Sequence, residues 1–228
     1  MIETDKYDHE EYEKLWDAFL EKQLHCSRQG AFIKDGVICS EKWNKSDTQT
    51  KVLFFNKEAH SASKKEFLDL REVIREDWKG PKGNMWQRMS ELAYLLQHFY
   101  TEGFTNLNSI TEDEKKNALL SSAFINIKKS GGTKSSEEAS LLKYWDSDKE
   151  LLLEQIKQIK PDFVILGNIY SIVSDHFSFV SHCRDSEGYF FTSPSFNNCV
   201  FVNYWHPAYQ VPADMYFYTL AYQLQKLK

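Results

Sequence analysis

Polar and ionisable side chains follow directly after four short apolar runs of this sequence. The segments that they form are Asn56-Lys-Glu-Ala-His60, Asn126-Ile-Lys-Lys129, Gly167-Asn168 and Asn203-Tyr-Trp-His-Pro207. Amides, a carboxylate, imidazoles and ammonium groups are the groups that bind polar ligands and transfer protons. The glycine patterns of Walker and dinucleotide phosphate cradles are both missing from the sequence. The pattern therefore predicts a polar cleft of another kind, if the four runs are neighbouring strands.

The elements that must position these groups can be read from hydrophobic spacing. The apolar runs are residues 51–55, 122–127, 163–166 and 199–202. Segments with helical spacing alternate with them, at 8–24, 64–77, 85–100, 144–159, 169–179 and 212–227. This alternation predicts an α/β fold, a three-layer sandwich in which a four-stranded parallel sheet is flanked by helices. Ligands of such sheets bind beyond the carboxyl ends of the strands. Residues 31–43 fit either a small hairpin or an irregular loop.

Bulk composition limits the class of protein. A chain of 228 residues with 42% hydrophobic content fits one domain, 1–228, with 1–50 as an N-terminal helical extension packed on it. The net charge of −5 argues against a surface coated for nucleic acid, although local basic patches decide phosphate binding. The four cysteines form no Cys-x-x-Cys pair, which predicts free thiols and no metal cluster. Without an apolar signal or spanning segment, we expect a cytoplasmic protein that contacts no membrane.

Taken in order, the four polar segments resemble the signature positions of the uracil-DNA glycosylase superfamily. Asn56-Lys-Glu-Ala-His60 resembles its first strand-end turn, and Phe124-Ile-Asn-Ile-Lys-Lys129 resembles the strand that ends in a base-reading asparagine. Pro161-Asp-Phe-Val-Ile-Leu-Gly167 resembles its third strand, and His206-Pro-Ala208 its final histidine-proline turn. The resemblance covers about residues 51–212. The first turn departs from the family pattern, because it has Asn56 in place of the usual glycine and Ala59 in place of the usual proline.

The resemblance implies a DNA N-glycosylase, a hydrolase of base-excision DNA repair that uses no cofactor. Glu58 is then the expected catalytic carboxylate, which orients or deprotonates water and stabilises the cationic sugar. His206 is the expected catalytic donor to the base oxygen on which charge develops. Asn126 is expected to read the edge of a base held out of the stack, with Trp86 as its stacking platform and His60 beside it.

Contacts to nucleic acid are also implied by the resemblance. The expected phosphate and DNA contacts are Lys128, Lys129, Lys134, Pro207, Tyr209 and Gln210. The lysines would hold phosphates, while the residues after the histidine would brace it and wedge into the duplex. The expected partner is DNA, or a nucleotide or base ligand, and we expect the protein to be a monomer.

Each assignment has a structural alternative. Glu58 could cap a helix, Asn126 could bond neighbouring backbone and His206 could hold a turn. Trp86 could belong to the core, and the lysines could form a solvated face. At the level of function, the alternative is a non-catalytic nucleotide- or nucleic-acid-binding module on the same fold. A small-molecule hydrolase is a third reading, but the Gly-x-Ser-x-Gly elbow that would favour it is absent from the sequence.

Overall fold

The described part of the chain is rich in both helices and strands. The computed structural model describes residues 6–25, 31–45, 50–60, 67–78, 84–102, 105–132, 137–181 and 188–227. Its helices are α1 (His9–Glu13), α2 (Leu15–His25), α3 (Ser40–Lys45), α4 (Leu70–Glu76), α5 (Asn84–Glu102), α6 (Glu112–Leu120), α7 (Glu138–Ile159), α8 (Tyr170–Phe177) and α9 (Ala213–Leu224). Its strands are β1 (Phe32–Lys34), β2 (Gly36–Val37), β3 (Val52–His60), β4 (Phe67–Asp69), β5 (Ala123–Gly132), β6 (Phe163–Gly167), β7 (Val180–Ser181), β8 (Phe190–Ser193) and β9 (Phe196–Tyr204). Within these ranges, no helix has the length and apolar character that crossing a membrane requires.

The strands of the described residues form one mixed sheet. Its order is β4-β1-β5-β3-β6-β9-β8-β7, and β2 pairs with β5 beside this path. The central strands β5, β3, β6 and β9 are parallel to one another. The pairs that β1 and β2 form with β5 are antiparallel, as are the pairs from β9 through β8 to β7. Because parallel neighbours end at the same edge, the carboxyl ends of the four central strands lie side by side.

Two apolar cores lie on opposite faces of the sheet. Alternate residues of β3 divide between them, with Val52 and Phe54 in one core and Leu53 and Phe55 in the other. The first core also contains residues of α4, α5, α6 and α9. The second contains residues of α1, α2, α3, α7 and α8. The sheet is therefore covered by helices on both faces, and the face of a strand residue decides which helices surround it.

The predicted α/β class is confirmed, but the sheet is larger than predicted. The four predicted strands are the parallel centre of a mixed nine-stranded sheet across the described residues, rather than a complete four-stranded one. The 31–43 segment is neither a hairpin nor a loop, because both β1 and β2 pair with β5. Its strands have three and two residues, which is too short to show a periodic pattern. The stretch before residue 50 thus contributes strands as well as helices.

The predicted helices are mostly present, but the helix expected over 8–24 is divided into α1 and α2, α3 was not predicted, and two further differences have a clear reason. Residues 64–77 were expected to form one helix, but β4 precedes α4, and residues 61–66 lie outside the described ranges. The sequence pattern also missed α6, whose exposed charged residues weaken its hydrophobic period. A capping box marks its start, because Thr111 and Glu114 bond reciprocally to each other's backbone N–H. That local signal is present in the sequence and would have located the helix.

Candidate functional site

Four residues form a row across the central strands, at the carboxyl ends of β6 and β9 but midway along the longer strands β3 and β5. Asn56 on β3 and Asn126 on β5 are direct register partners, so their side chains leave the same face of the sheet. Gly167 ends β6, and His206 lies two residues beyond β9. In all four cases the residue two positions earlier belongs to the core beneath α5 and α9. The order across this face is therefore Asn126, Asn56, Gly167, His206.

The two asparagine side chains of this row are buried without hydrogen-bond partners. Asn126 is 0% exposed and Asn56 is 1% exposed. The Oδ1 and Nδ2 atoms of both find no partner among the residues that the structure describes. A buried polar group left unpaired costs about 1–3 kcal/mol, so native proteins pair nearly all of them. Two neighbouring buried amides without described partners therefore need an explanation, such as an ordered water or a bound polar molecule.

Gly167 provides the space that the Asn56 amide occupies. A β-carbon on Gly167 would lie 1.9 Å from Oδ1 of Asn56 and 3.5 Å from Cδ2 of His206. Any larger residue would thus collide with the amide. The side-chain oxygen Oδ1 of Asn56 and the ring atom Cδ2 of His206 therefore both border the space beside Gly167, at the end of β6.

The imidazole of His206 is held in one neutral form. Its Nδ1 accepts a hydrogen bond from the backbone N–H of Ala208 at 3.1 Å, which leaves the ring proton on Nε2. Burial, together with the positive charge of Lys57, lowers the pKa of His206 to about 4. The ring is therefore neutral at physiological pH and offers Nε2–H as a hydrogen-bond donor.

Glu58 lies next to the row and is ion-paired. It is the register partner of Lys128, and its Oε2 lies 3.0 Å from Nζ of Lys128. The side chains are only 8% and 15% exposed, respectively. The Lys128 ammonium also lies 5.1 Å from the ring centre of Tyr144 on α7. The predicted catalytic carboxylate and one predicted phosphate-binding lysine thus compensate each other's charge.

Lys129 does not contact phosphate, contrary to the sequence prediction. It is 0% exposed, and its Nζ lies 2.8 and 2.9 Å from the two carboxylate oxygens of Asp35. Consecutive strand residues point to opposite faces, so Lys129 is turned into the core while Lys128 remains at the rim. Its ammonium lies 5.8 Å from the Trp16 ring centre and 5.2 Å from that of Phe19. Its role is structural.

Asp35 connects this buried pair to the row. Its Oδ2 accepts a hydrogen bond from the backbone N–H of Asn126 at 2.9 Å. Nε2 of Gln155 lies 3.4 Å from Oδ1 of Asp35 and donates to the Tyr12 hydroxyl at 2.6 Å. Burial raises the pKa of the Asp35 carboxyl, and the Lys129 ammonium opposes that shift. Sequence reasoning missed Asp35, because its partners lie more than ninety positions away along the chain.

Trp86 lies on the same face, in the first turn of α5. It is partly buried and packs against the core beneath α5 and α9. Its ring meets Phe124 edge-on, with ring centres 5.4 Å apart and planes at 76°. Phe124 is two residues before Asn126 on β5, so Trp86 borders the row. Trp86 therefore packs in the core and also lies beside the amide side chains of the row.

The loop after His206 is held by a residue that the sequence did not single out. Arg88 of α5 donates from Nη1 to the carbonyl oxygens of Pro207, at 3.2 Å, and Tyr209, and from Nη2 to that of Val211 at 2.5 Å. Tyr209 is 54% exposed, and its ring stacks beside Trp205. Arg88 thus holds this loop through hydrogen bonds to the loop's backbone carbonyl oxygens.

Three further sequence assignments can be located only in part. Gln210 follows Tyr209 and is exposed. His60 ends β3, but its side chain lies outside the described part of the structure. Lys134 lies wholly outside it. Within the described ranges, no group of three or more His, Cys, Asp or Glu side chains is arranged to hold a metal ion.

Comparison with known proteins identified no relative of this chain. No known family model matches the chain, and no curated protein is similar to it. The superfamily resemblance therefore depends on the strand-end residues alone.

Proposed function

We propose that this protein is a divergent member of the uracil-DNA glycosylase superfamily, which binds a base flipped out of DNA and hydrolyses its N-glycosidic bond. The observation that carries the proposal is that Asn126 and His206 belong to one row across the parallel central strands, with Glu58 two residues beyond Asn56 on β3. A base-reading amide, a carboxylate and a neutral donor are the groups that such a reaction needs. His206 lies beyond the end of β9, where α/β proteins bind ligands, while Asn126 and Glu58 lie within β5 and β3.

Recognition of the base is assigned to Asn126 and His206. The unpaired amide of Asn126 offers one acceptor and two donors to a base edge. The Nε2–H of His206 donates to a carbonyl oxygen of the base. Because His206 is already neutral, no proton has to be removed before it can serve in this way.

The reaction is then a simple displacement. A water oxygen bonds to C1′ of the sugar, the C1′–N bond breaks, and its electron pair leaves with the base. The water proton passes to the Glu58 carboxylate and on to solvent, and the base anion takes up a proton from solvent. Glu58 also stabilises the positive charge on the sugar, while His206 stabilises the negative charge on the base oxygen.

Release of the base from DNA tests this proposal. Single- and double-stranded oligonucleotides containing uracil or other modified bases would be incubated with the wild-type protein and with Glu58→Gln. We expect wild-type release to exceed that of the variant by about 100-fold or more. Glu41→Gln is the matched control, since Glu41 is an exposed glutamate paired with Lys45. Absence of release from every substrate, or equal release by Glu58→Gln, would reject catalysis by this carboxylate.

A second function is favoured by one specific contact. The Lys128 ammonium lies 3.0 Å from Oε2 of Glu58, so one of the two oxygens that would accept a water proton is already ion-paired. If that pair persists with ligand bound, the site binds a nucleotide or nucleic acid without cleaving it. An Asn126-dependent complex with DNA that shows no base release would support this binding module.

A further inference from the structure

Asn56 is the unassigned member of the row. Its side chain is 1% exposed, and neither amide atom has a partner among the described residues. It is not needed to close the sheet, because the β3–β5 register is carried by backbone pairs. The amide fills the space over Gly167 on β6, but its polar atoms satisfy no described hydrogen-bonding need.

The position of Asn56 determines what a ligand must do. The strand order β5-β3-β6-β9 places Asn56 between Asn126 and the histidine that follows β9. Tyr204 is the register partner of Gly167, so His206 lies two residues beyond the row, and its backbone is three strand spacings, about 14 Å or more, from that of Asn126. Any molecule that contacts both must therefore cover Asn56. It either hydrogen-bonds the Asn56 amide or leaves it buried and unpaired, which weakens binding.

We propose that Asn56 is a second base-reading residue, which contacts the ring nitrogen of the base between the groups read by Asn126 and His206. This inference rests on the proposed nucleobase site and names its substrate class. The row of amide, amide and imidazole N–H fits a Watson–Crick edge in which a carbonyl flanks the ring nitrogen. In uracil, one carbonyl accepts from His206, the ring N–H donates to Asn56 Oδ1, and the other carbonyl accepts from Asn126.

The same row discriminates against adenine and against a methylated ring nitrogen, but not against cytosine. Cytosine fits as well, because an amide can turn its donor toward an unprotonated ring nitrogen. Adenine presents either an amino group or a C–H to the His206 donor, and so leaves Nε2–H unpaired. A methyl group on the ring nitrogen removes the hydrogen bond to Asn56 while the two outer carbonyls remain. The ring nitrogen is thus the position at which the role of Asn56 can be tested separately.

The experiment measures binding of free uracil, 3-methyluracil and adenine by NMR titration. The proteins are the wild type, Asn56→Ala, Asn126→Ala and the control Asn203→Ala. Asn203 lies near the end of β9, and its side-chain amide donates to the backbone carbonyl of Gly188. We expect wild type and control to bind uracil about tenfold or more tightly than 3-methyluracil. Asn56→Ala should bind the two about equally, whereas Asn126→Ala should weaken both. Asn56→Gly replaces Asn56→Ala if melting curves show that the alanine variant does not fold.

Other outcomes separate the two proposals. Uracil binding that depends on Asn126 but keeps full discrimination in Asn56→Ala would overturn the role of Asn56 and leave the base site standing. Equal wild-type binding of adenine and uracil would also overturn it. If no base binds the wild type and an ordered water bridges the two amides, the nucleobase site itself fails, and this inference fails with it.

Discussion

Replacing Asn126 by leucine should stabilise the ligand-free protein while abolishing its ability to bind a base. Asparagine and leucine have the same number and branching of side-chain heavy atoms, so the substitution removes two polar atoms; the bulkier methyl groups of leucine work against the expected gain. Those atoms are fully buried and have no described partner. Removing the cost of about 1–3 kcal/mol for an unpaired buried group should raise the free energy of unfolding. A gain of about 2 kcal/mol corresponds to a rise in Tm of about 4–8 °C for a chain of this size.

Thermal unfolding with and without uracil would measure both effects. The wild-type Tm should rise with ligand, by the equivalent of about 2.7 kcal/mol at 100 times Kd, and the Asn126→Leu Tm should not. Asn203→Leu is the matched comparison, because its amide is paired with Gly188 at 3.0 Å. It should lose about 0.5–1.5 kcal/mol. A lower Tm for ligand-free Asn126→Leu would mean that its amide is satisfied, and the argument for a ligand at this row would fail.

Three other perturbations have definite expected outcomes. Asp35→Asn should lower the free energy of unfolding by about 3–5 kcal/mol in urea titrations, because it leaves Lys129 buried without its counter-charge. The double variant Asp35→Leu/Lys129→Met removes both charges and should recover most of this loss. If it does not, the loss has another cause. As pH falls from 6.5 to about 4, the unfolded chain protonates His206 before the folded chain does, so wild-type stability should fall by at most about 3 kcal/mol. His206→Asn should remove that part of the pH dependence, and an unchanged pH profile in this variant would assign the loss to other groups. Gly167→Ala should destabilise by about 1–3 kcal/mol and weaken base binding, because the new β-carbon displaces Asn56. In an Asn56→Gly background the stability cost should largely disappear, and a persistent cost would place the strain elsewhere.

The sequence predicted the parallel centre of the sheet because its strands are long enough to show a pattern. The apolar runs of β3, β5, β6 and β9 stand out between helical periods. The flanking strands escaped prediction for the opposite reason, since β2 and β7 have two residues each and β1 and β4 have three. Such short strands are defined by their pairing partners rather than by their own composition.

The candidate site was predictable where the information was local. The polar segments that follow the apolar runs identified Asn126, Glu58 and His206 as candidates, and the structure places Asn126 and Glu58 within the neighbouring strands β5 and β3 and His206 just after β9. Asn56 carried the same local signal. The misassignment of Lys129 was avoidable, because strand alternation turns it away from Lys128.

Interactions between distant segments could not be predicted from local pattern. Arg88 reaches the loop after His206 across more than a hundred residues, and a helical arginine gives no sign of such a target. The pairing of Asp35 with Lys129 is equally remote, at a separation of 94 residues. Sequence periodicity indicates which face of a helix or strand is apolar, but it does not indicate which distant segment packs against that face.

The bond from Asn126 N–H to the Asp35 carboxylate makes one backbone proton a reporter of chain assembly. An ordinary strand amide is protected by its neighbour's carbonyl, whereas this amide is protected by a side chain from the first forty residues. Its hydrogen exchange therefore measures whether the amino-terminal segment is docked, independently of whether β5 remains paired with β3. If that segment undocks before the sheet opens, the proton exchanges early, and the residue next to the candidate ligand loses its anchor first.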